Sequence, residues 1–513
     1  MSIEAKPHRD VLQSSIVLST LNARYIHSSF GLRYLKANLH ELQDQSQIVE
    51  FVIDVKPEDA VEKLLQRDPR IIGFGVYIWN IEQTERVVKL LKQVAPHVKI
   101  VLGGPEVSYE LDASAIVSLA NHVITGWGEQ SFYQLCKDLL LEKPDLPSVI
   151  TGVQLPLAQI EMPYQLYDDQ DIAHRLIYVE ASRGCPYKCE FCLSALDKTA
   201  WPFAIDRFLE QMDLLFKRGV RQFKFVDRTF NLKIKTSLQI LDFFLERMDD
   251  DVFLHFEVIP DHLPDALKEK IQCFPAGSLQ FEIGIQTFNA RVQERISRKQ
   301  KNDAAKENLR WIREQSNAYV HADLICGLPG EDLQSFADSF DTLYALRPHE
   351  IQVGILKRLK GSPIVRHTRE FELVFNPSPP FNIVQNNLCN YAQIQEMNRF
   401  ARYWDLIANS GRFKATLGLI IDAAPFARFM LLSKEIYART QQTHKIALIR
   451  LFDLVYAIAI EEFALDPTQI LAAIEQDHAK SGLKSLPKCL NRSVQSVKTS
   501  ASSRATRQAR HQN

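Results

Sequence analysis

From residue 14 to about residue 141 the chain repeats one pattern, a short apolar run followed by a stretch with apolar positions at helical spacing. The runs are SSIVLSTL (14–21), IVEFVI (48–53), RIIGFGVYIW (70–79), VKIVLGG (98–104) and HVITG (122–126). The stretches between and after them are SFGLRYLKANLHEL, AVEKLLQR, IEQTERVVKLLKQV, a shorter piece around ASAIVSLA, and QSFYQLCKDLLLE. Continuous apolar strands joined by amphipathic crossovers predict a doubly wound, Rossmann-like parallel α/β domain over residues 10–150. Its ligand belongs outside the carboxyl ends of the strands.

A second series of strands is expected at LIYVEAS (176–182), RQFKFVD (221–227), FLHFEVI (253–259), SLQFEIGIQ (278–286), YVHADLICG (319–327) and EIQVGIL (350–356). Six strands with helices between them predict a partial (β/α)6 barrel of TIM type over 170–376, with reactive groups at the strands' carboxyl ends. From 377 to 476 the pattern turns helical, with Gly411 read as a helix C-terminal cap and the aromatics around Tyr403 and Trp404 read as core. From Lys480 to Asn513 the chain carries eight Lys or Arg and no Asp or Glu. That composition predicts a disordered basic tail over 480–513, whose contact with RNA is a secondary expectation.

Length and charge narrow the classes. At 513 residues two or three domains are expected. Basic and acidic residues nearly balance, 61 against 62, so a global polyanion-binding role is not indicated. No window reaches the apolar length of a transmembrane helix. Eight cysteines without paired secreted spacing, and without a secretory signal, predict a reduced, cytoplasmic protein.

Three of those cysteines carry the chemistry. In ASRGCPYKCEFCLSALD, Cys185, Cys189 and Cys192 present thiolates at i, i+4 and i+7 on one loop, enough for three irons of a four-iron cluster with the fourth iron open. A structural zinc site needs a fourth ligand, for which His174 is the nearby candidate. Carboxylates and amides also interrupt the barrel strands: Asp227, Glu257, Glu282, Gln286 and Asp323, the last ahead of Gly327-Leu-Pro-Gly330-Glu331. Such groups are costly inside apolar strands unless paired or bound to a ligand, so a salt-bridge network and a ligand site both remain open. In the first domain the strand-end loops hold Asn22, Tyr25 and His27; Gly103, Gly104 and Pro105; and Gly126, Gly128 and Glu129. Glycine there lets backbone approach a bulky ligand closely, although ordinary turn chemistry explains each loop singly.

The Cys-x-x-x-Cys-x-aromatic-Cys run after a strand, with Phe191 as the aromatic, resembles the signature of the radical S-adenosylmethionine (SAM) superfamily. The resemblance implies a 4Fe-4S cluster whose open iron chelates the amino and carboxylate groups of SAM, and a 5′-deoxyadenosyl radical that abstracts hydrogen. It also implies an electron donor such as a flavodoxin or ferredoxin. By analogy Asp227, Glu257 and Gln286 hold the ribose and methionine ends of SAM, Arg298 pairs with a carboxylate, and the run from Gly327 borders the adenine. Over 12–145 the loops together resemble the cobalamin-binding domain found ahead of many such enzymes. The Asp-x-His-x-x-Gly pattern is absent, which implies cobalamin with no histidine on cobalt and a loop or capping role for His27. The 377–476 region resembles an extension in one uncharacterised subgroup. Together these imply a methyltransferase acting on an unactivated carbon; a radical cyclase or rearrangement enzyme, a cobalamin-sensing protein without catalysis, and an RNA-modifying enzyme guided by the basic tail are the alternatives.

Overall fold

The computed structural model describes residues 14–197 and 199–491. The first sheet has six parallel strands, β1 (Ile16–Asn22), β2 (Ser46–Val52), β3 (Ile71–Gly75), β4 (Lys99–Gly103), β5 (His122–Thr125) and β6 (Val149–Thr151), in the order β2-β1-β3-β4-β5-β6. Alternate residues feed opposite faces. Ile16 and Leu18 pack under helices α1 (Phe30–Ala37) and α5 (Glu129–Leu140), while Val17 and Leu21 pack under α2 (Pro57–Leu65) and α3 (Ile81–Val94), with α4 (Ala115–Leu119) beside them. β6 was not expected, because three edge residues without a buried run leave no periodic signal. β3 is shorter than expected, ending at Gly75 rather than Trp79. Asn80 draws the chain out of the sheet there, accepting from Tyr77 N at 2.8 Å and donating to the Gly75 and Leu21 carbonyls.

The second sheet also has six parallel strands, hydrogen-bonded in chain order: β7 (Ile177–Val179), β8 (Gln222–Phe225), β9 (Phe253–Val258), β10 (Leu279–Gln286), β11 (Tyr319–Cys326) and β12 (Glu350–Ile355). Phe223, Phe225, Leu254, Phe256, Phe281 and Val320 bury themselves in the core. The alternate positions are Lys224, His255, Glu257, Glu282, His321, Asp323 and Glu350; Lys224 and His255 pair with Glu282 and His321 with Glu350 across strands, while Asp323 pairs with His321 within its strand. The lumen is therefore polar, unlike an apolar-layered barrel.

Both open edges are capped. Leu176 N donates to Ile26 O at 2.9 Å, so the loop after β1 continues the barrel beside β7. At the other edge the Asn409 amide bonds both Ile351 N (3.1 Å) and Ile351 O (2.9 Å). Asn409 belongs to the helical unit built from Tyr391–Ile407, Lys414–Ile421, Pro425–Thr440, Leu448–Glu461 and Pro467–Ser481. Its core stacks Phe400, Trp404, Phe426 and Phe429, with Tyr403 buried as well. The first of these helices ends at Ile407, and Gly411, with φ 66°, follows a further turn. The expected tail begins too early. Pro467–Ser481 runs through Lys480, Leu490 is buried in the short helix Lys488–Asn491, and Cys489 N donates to Asp453 at 2.9 Å. Residues 492–513, with the rest of that expectation and any RNA contact, lie outside the described residues. Among the described residues no single helix is long and apolar enough to cross a membrane.

Candidate functional site

The cysteine loop leaves the end of β7 and is fixed at three points. Asp227, after β8, accepts from Ala181 N (2.9 Å) and Ser182 Oγ (2.6 Å). Arg183 donates to Glu180 (2.7 Å) and to Glu129 of α5 (2.6 Å), its guanidinium lying over the rings of Tyr34 and Trp127. Glu190, buried between the second and third cysteines, accepts from Ser297 (2.6 Å), Arg366 (2.8 and 2.5 Å) and His367 (2.8 Å). Gly184 makes the entry turn with φ 88°, and a Cβ there would stand 2.0 Å from Thr199 O, so no other residue fits.

Cys185, Cys189 and Cys192 line one cavity of about 260 Å³ with Tyr187, Phe191 and Arg298. Burial, followed by the neighbouring thiols, pushes Cys185 up to about 11; burial also raises Cys189, against the Arg298 charge. Among the described residues no three His, Cys, Asp or Glu side chains are already drawn to metal-binding separation. The donor set nevertheless suits an open cluster: three thiols share one wall, and His174, the fourth ligand a zinc site would need, lines a different cavity.

Glu257, Glu282, Gln286 and Asp323 line the same cavity from the barrel side. Gln286 sits at a β-bulge with φ 68°, a left-handed conformation that costs on the order of 1 kcal/mol, and its Oε1 is buried without a partner. An orphaned acceptor of that kind suits a ligand hydroxyl or amine. Burial works to raise the Glu282 carboxyl, but the His255 hydrogen bond (2.9 Å) and the Lys224 charge outweigh it and hold the group at about 2. Burial raises Asp323 despite His321 at 3.3 Å. Burial likewise raises Glu257, opposed by Arg228, whose Nη1 donates to both its oxygens at 2.9 and 3.1 Å.

A larger cavity of about 520 Å³ lies between the first sheet and the cysteine loop. Gly103, Gly104, Gly126, Gly128 and Glu129 line it from one side, and Glu180, Arg183, Leu193 and Val226 from the other. Gly104, at φ 107°, would put a Cβ 2.5 Å from Val76 O, whereas a Cβ on Gly126 would meet nothing within 4 Å. The glycine wall thus presents bare backbone to a broad open space, the shape a flat macrocycle needs. No histidine is among its lining residues. Ser194 and Arg228 line both cavities.

Several expected site residues lie elsewhere. Asn22 bonds Glu50 and the His27 carbonyl; Tyr25 lies beside Arg175, lining a separate polar cavity; His27 Nδ1 meets the Tyr178 hydroxyl at 2.7 Å beneath the barrel. Asn22 ends β1, and Tyr25 and His27 lie on the loop after it, which folds toward the barrel edge instead of over the glycine loops. Pro105 opens a short 3-10 turn outside the cavity lining. Asp227 is buried behind the cysteine loop, a positioning residue with no face on the smaller cavity. Gly327 packs under Ile383, away from that cavity. Arg298 lines it, but its guanidinium bonds the Gly284 carbonyl and Gln300 and stands 3.7 Å from Cys189 Sγ, so it braces the loop and offers no free carboxylate fork. Sequence reasoning missed Arg183, Glu190, Arg228, Lys224, His255 and His321. For the last three the signal was period-two alternation of polar with apolar residues within the strands.

Family models match three parts of the chain: B12 binding domain at 16–136, radical SAM superfamily at 179–343, and a protein of unknown function (DUF4080) at 369–513. An uncharacterized methyltransferase of Pyrococcus horikoshii is 25% identical over 41% of this chain and 50% of its own length. The cobalamin-dependent radical SAM methyltransferase TokK of Streptomyces tokunonensis is 24% identical over 58% of this chain and 48% of its own. The chain spans about half the length of these curated relatives. The fold is similar to that of the cobalamin-dependent SAM radical enzyme OxsB (TM-score 0.61, 14% identity, 91% of this chain and 79% of that one). It is also similar to that of the radical SAM methyltransferase TsrM from Kitasatospora setae (TM-score 0.57, 15% identity, 71% and 77%). The chain thus carries a B12-binding domain, a radical SAM domain over its barrel and a DUF4080 region, in that order.

Proposed function

We propose that the protein is a cobalamin-dependent radical SAM methyltransferase that acts on an unactivated carbon. The observation that carries this reading is the shared wall: a glycine-lined cavity and a three-cysteine cavity meet at Ser194 and Arg228. When bound, the cluster with SAM supplies a hydrogen-abstracting carbon radical and cobalamin supplies the methyl group.

In this assignment Cys185, Cys189 and Cys192 hold the cluster, and Glu190, Asp227 and Arg183 hold their loop in place. Gln286 accepts from SAM through its unpartnered oxygen, and Glu257, expected to do the same, has both oxygens taken by Arg228. Gly103, Gly104, Gly126 and Gly128 form the cobalamin wall, and Glu129, bound to Arg183, fixes that wall against the barrel. The absence of histidine from the larger cavity's lining favours cobalt without an imidazole ligand. The proposed units are 10–150, 170–376 and a helical unit from 377 that includes 480–491. The electron donor is of the flavodoxin or ferredoxin kind, and the eight free cysteines accord with a reducing cytoplasmic setting. Methyl transfer to carbon is tested by product analysis, because it forms S-adenosylhomocysteine as well as 5′-deoxyadenosine. Turnover that gives 5′-deoxyadenosine alone overturns it.

A further inference from the structure

The residues that line both cavities mark where a substrate would have to sit if it is to meet both cofactors. Arg228 is the charged one. Its Nη1 is committed to Glu257 at 2.9 and 3.1 Å, while among the described residues Nε and Nη2 have no protein partner. Its side chain is 53% accessible, although the residue follows the buried Asp227 at the end of β8. One edge of the guanidinium is therefore anchored, and the other is unpartnered on a half-accessible side chain of a residue that lines both cavities. An open Nε–Nη2 edge matches two oxygens of a carboxylate or phosphate in plane, the strongest geometry available to an arginine. Ser194 lines the same junction.

Lys299 lines the smaller cavity alone, and the other neighbouring cations are engaged. Arg298 is bonded to Gly284 O and Gln300, Arg183 is paired with Glu180 and Glu129, and Lys224 is paired with Glu282. On the two-cofactor reading, the carboxylate of SAM is taken by the open iron and does not need this edge. Resting on that reading, we infer that the substrate carries an oxyanion, a carboxylate or phosphate, which docks on the Nε–Nη2 edge of Arg228 and brings the acceptor carbon between the two cofactors. Arg228 is then the residue that selects acidic substrates, and Glu257 is its positioning partner.

The test uses the anaerobically reconstituted protein with SAM and paramagnetic cob(II)alamin, and propionate or inorganic phosphate as probe. Relaxation enhancement of the propionate methyl protons or of the phosphate phosphorus is the readout. Saturable enhancement is expected in the wild type, with apparent affinity about tenfold weaker in Arg228→Gln and about fivefold weaker in Arg228→Lys, which keeps the charge but loses the planar fork. SAM affinity, measured by ultrafiltration of labelled SAM, stays within about twofold in both variants. A response to propionate alone assigns a carboxylate, and one to phosphate alone assigns a phosphorylated substrate. A fully loaded protein with no saturable response, an equal response in Arg228→Gln, or SAM affinity about tenfold weaker in that variant overturns the assignment alone. A protein that takes up neither iron nor cobalamin overturns the two-cofactor reading and this inference with it.

Discussion

Glu331 closes the Gly327–Glu331 run as a buried carboxyl whose Oε1 accepts from Thr287 at 2.5 Å and whose Oε2 has no partner. Burial, only partly offset by the Thr287 hydrogen bond, pushes it up to about 7. Because the folded value is raised, the folded state binds the proton more tightly than the unfolded state. The associated stability is present below about pH 4 and is lost as pH rises to about 7, an amount on the order of 3 kcal/mol. Glu331→Gln should flatten that part of the pH–stability curve in urea unfolding at a series of pH values; an unchanged slope between pH 4 and 7 contradicts the assignment. Glu190→Ala removes the acceptor shared by Ser297, Arg366 and His367, and should cost about 2–4 kcal/mol in the same assay while lowering iron retention. Retention of full iron content would show that the loop holds without it. At this scale the three cysteines were legible as a group, because their spacing puts them on one loop and the structure puts all three on one cavity. Asn22, Tyr25 and His27 were not, since a position after a strand does not reveal which way the loop turns. Glu190 was hidden for a related reason: its partners lie 107 to 177 residues away.

The two sheets are the most legible elements, because buried parallel strands leave continuous or alternating apolar runs. The exceptions have local causes: β6 is too short to show a pattern, and Asn80 ends β3 early. The wall proposed for cobalamin lies on the glycine loops between these elements, and its glycines are not equivalent. At Gly104 a Cβ meets the Val76 carbonyl at 2.5 Å, so Gly104→Ala must displace backbone and should cost several kcal/mol and most cobalamin binding. At Gly126 the same change adds only the left-handed backbone penalty, about 1 kcal/mol, because nothing lies within 4 Å. Thermal melts of the two variants, with cobalamin content read from the visible spectrum, should rank them in that order. Equal effects would mean that the loop geometry after β4 is not the constraint.

Across the whole molecule the first domain and the barrel meet through ion pairs, two of them largely buried and the Arg358–Glu110 pair partly exposed, which sequence could not pair because their partners come from different units. Arg183 bonds Glu129 of α5, Lys360 meets Glu106 at 3.1 Å, and Arg358 meets Glu110 at 2.5 Å. Arg183→Met leaves Glu129 and Glu180 without their cation and should destabilise the chain by about 3–5 kcal/mol, whereas adding Glu129→Gln and Glu180→Gln should recover much of that loss. Chemical denaturation of the set measures it, and strictly additive losses would contradict a shared network. The same interface encloses the larger cavity beside the cysteine loop, so the central claim is that one chain holds two cofactors on either side of Arg228. The most direct measurement is the iron and cobalamin content after anaerobic reconstitution with iron, sulfide and hydroxocobalamin, for the wild type and for the Cys185→Ala, Cys189→Ala, Cys192→Ala triple variant. About four irons and about one cobalamin per wild-type chain, with iron lost and cobalamin kept in the variant, is the predicted result. Iron that survives loss of all three cysteines, or a wild-type chain that retains no cobalamin, would contradict it.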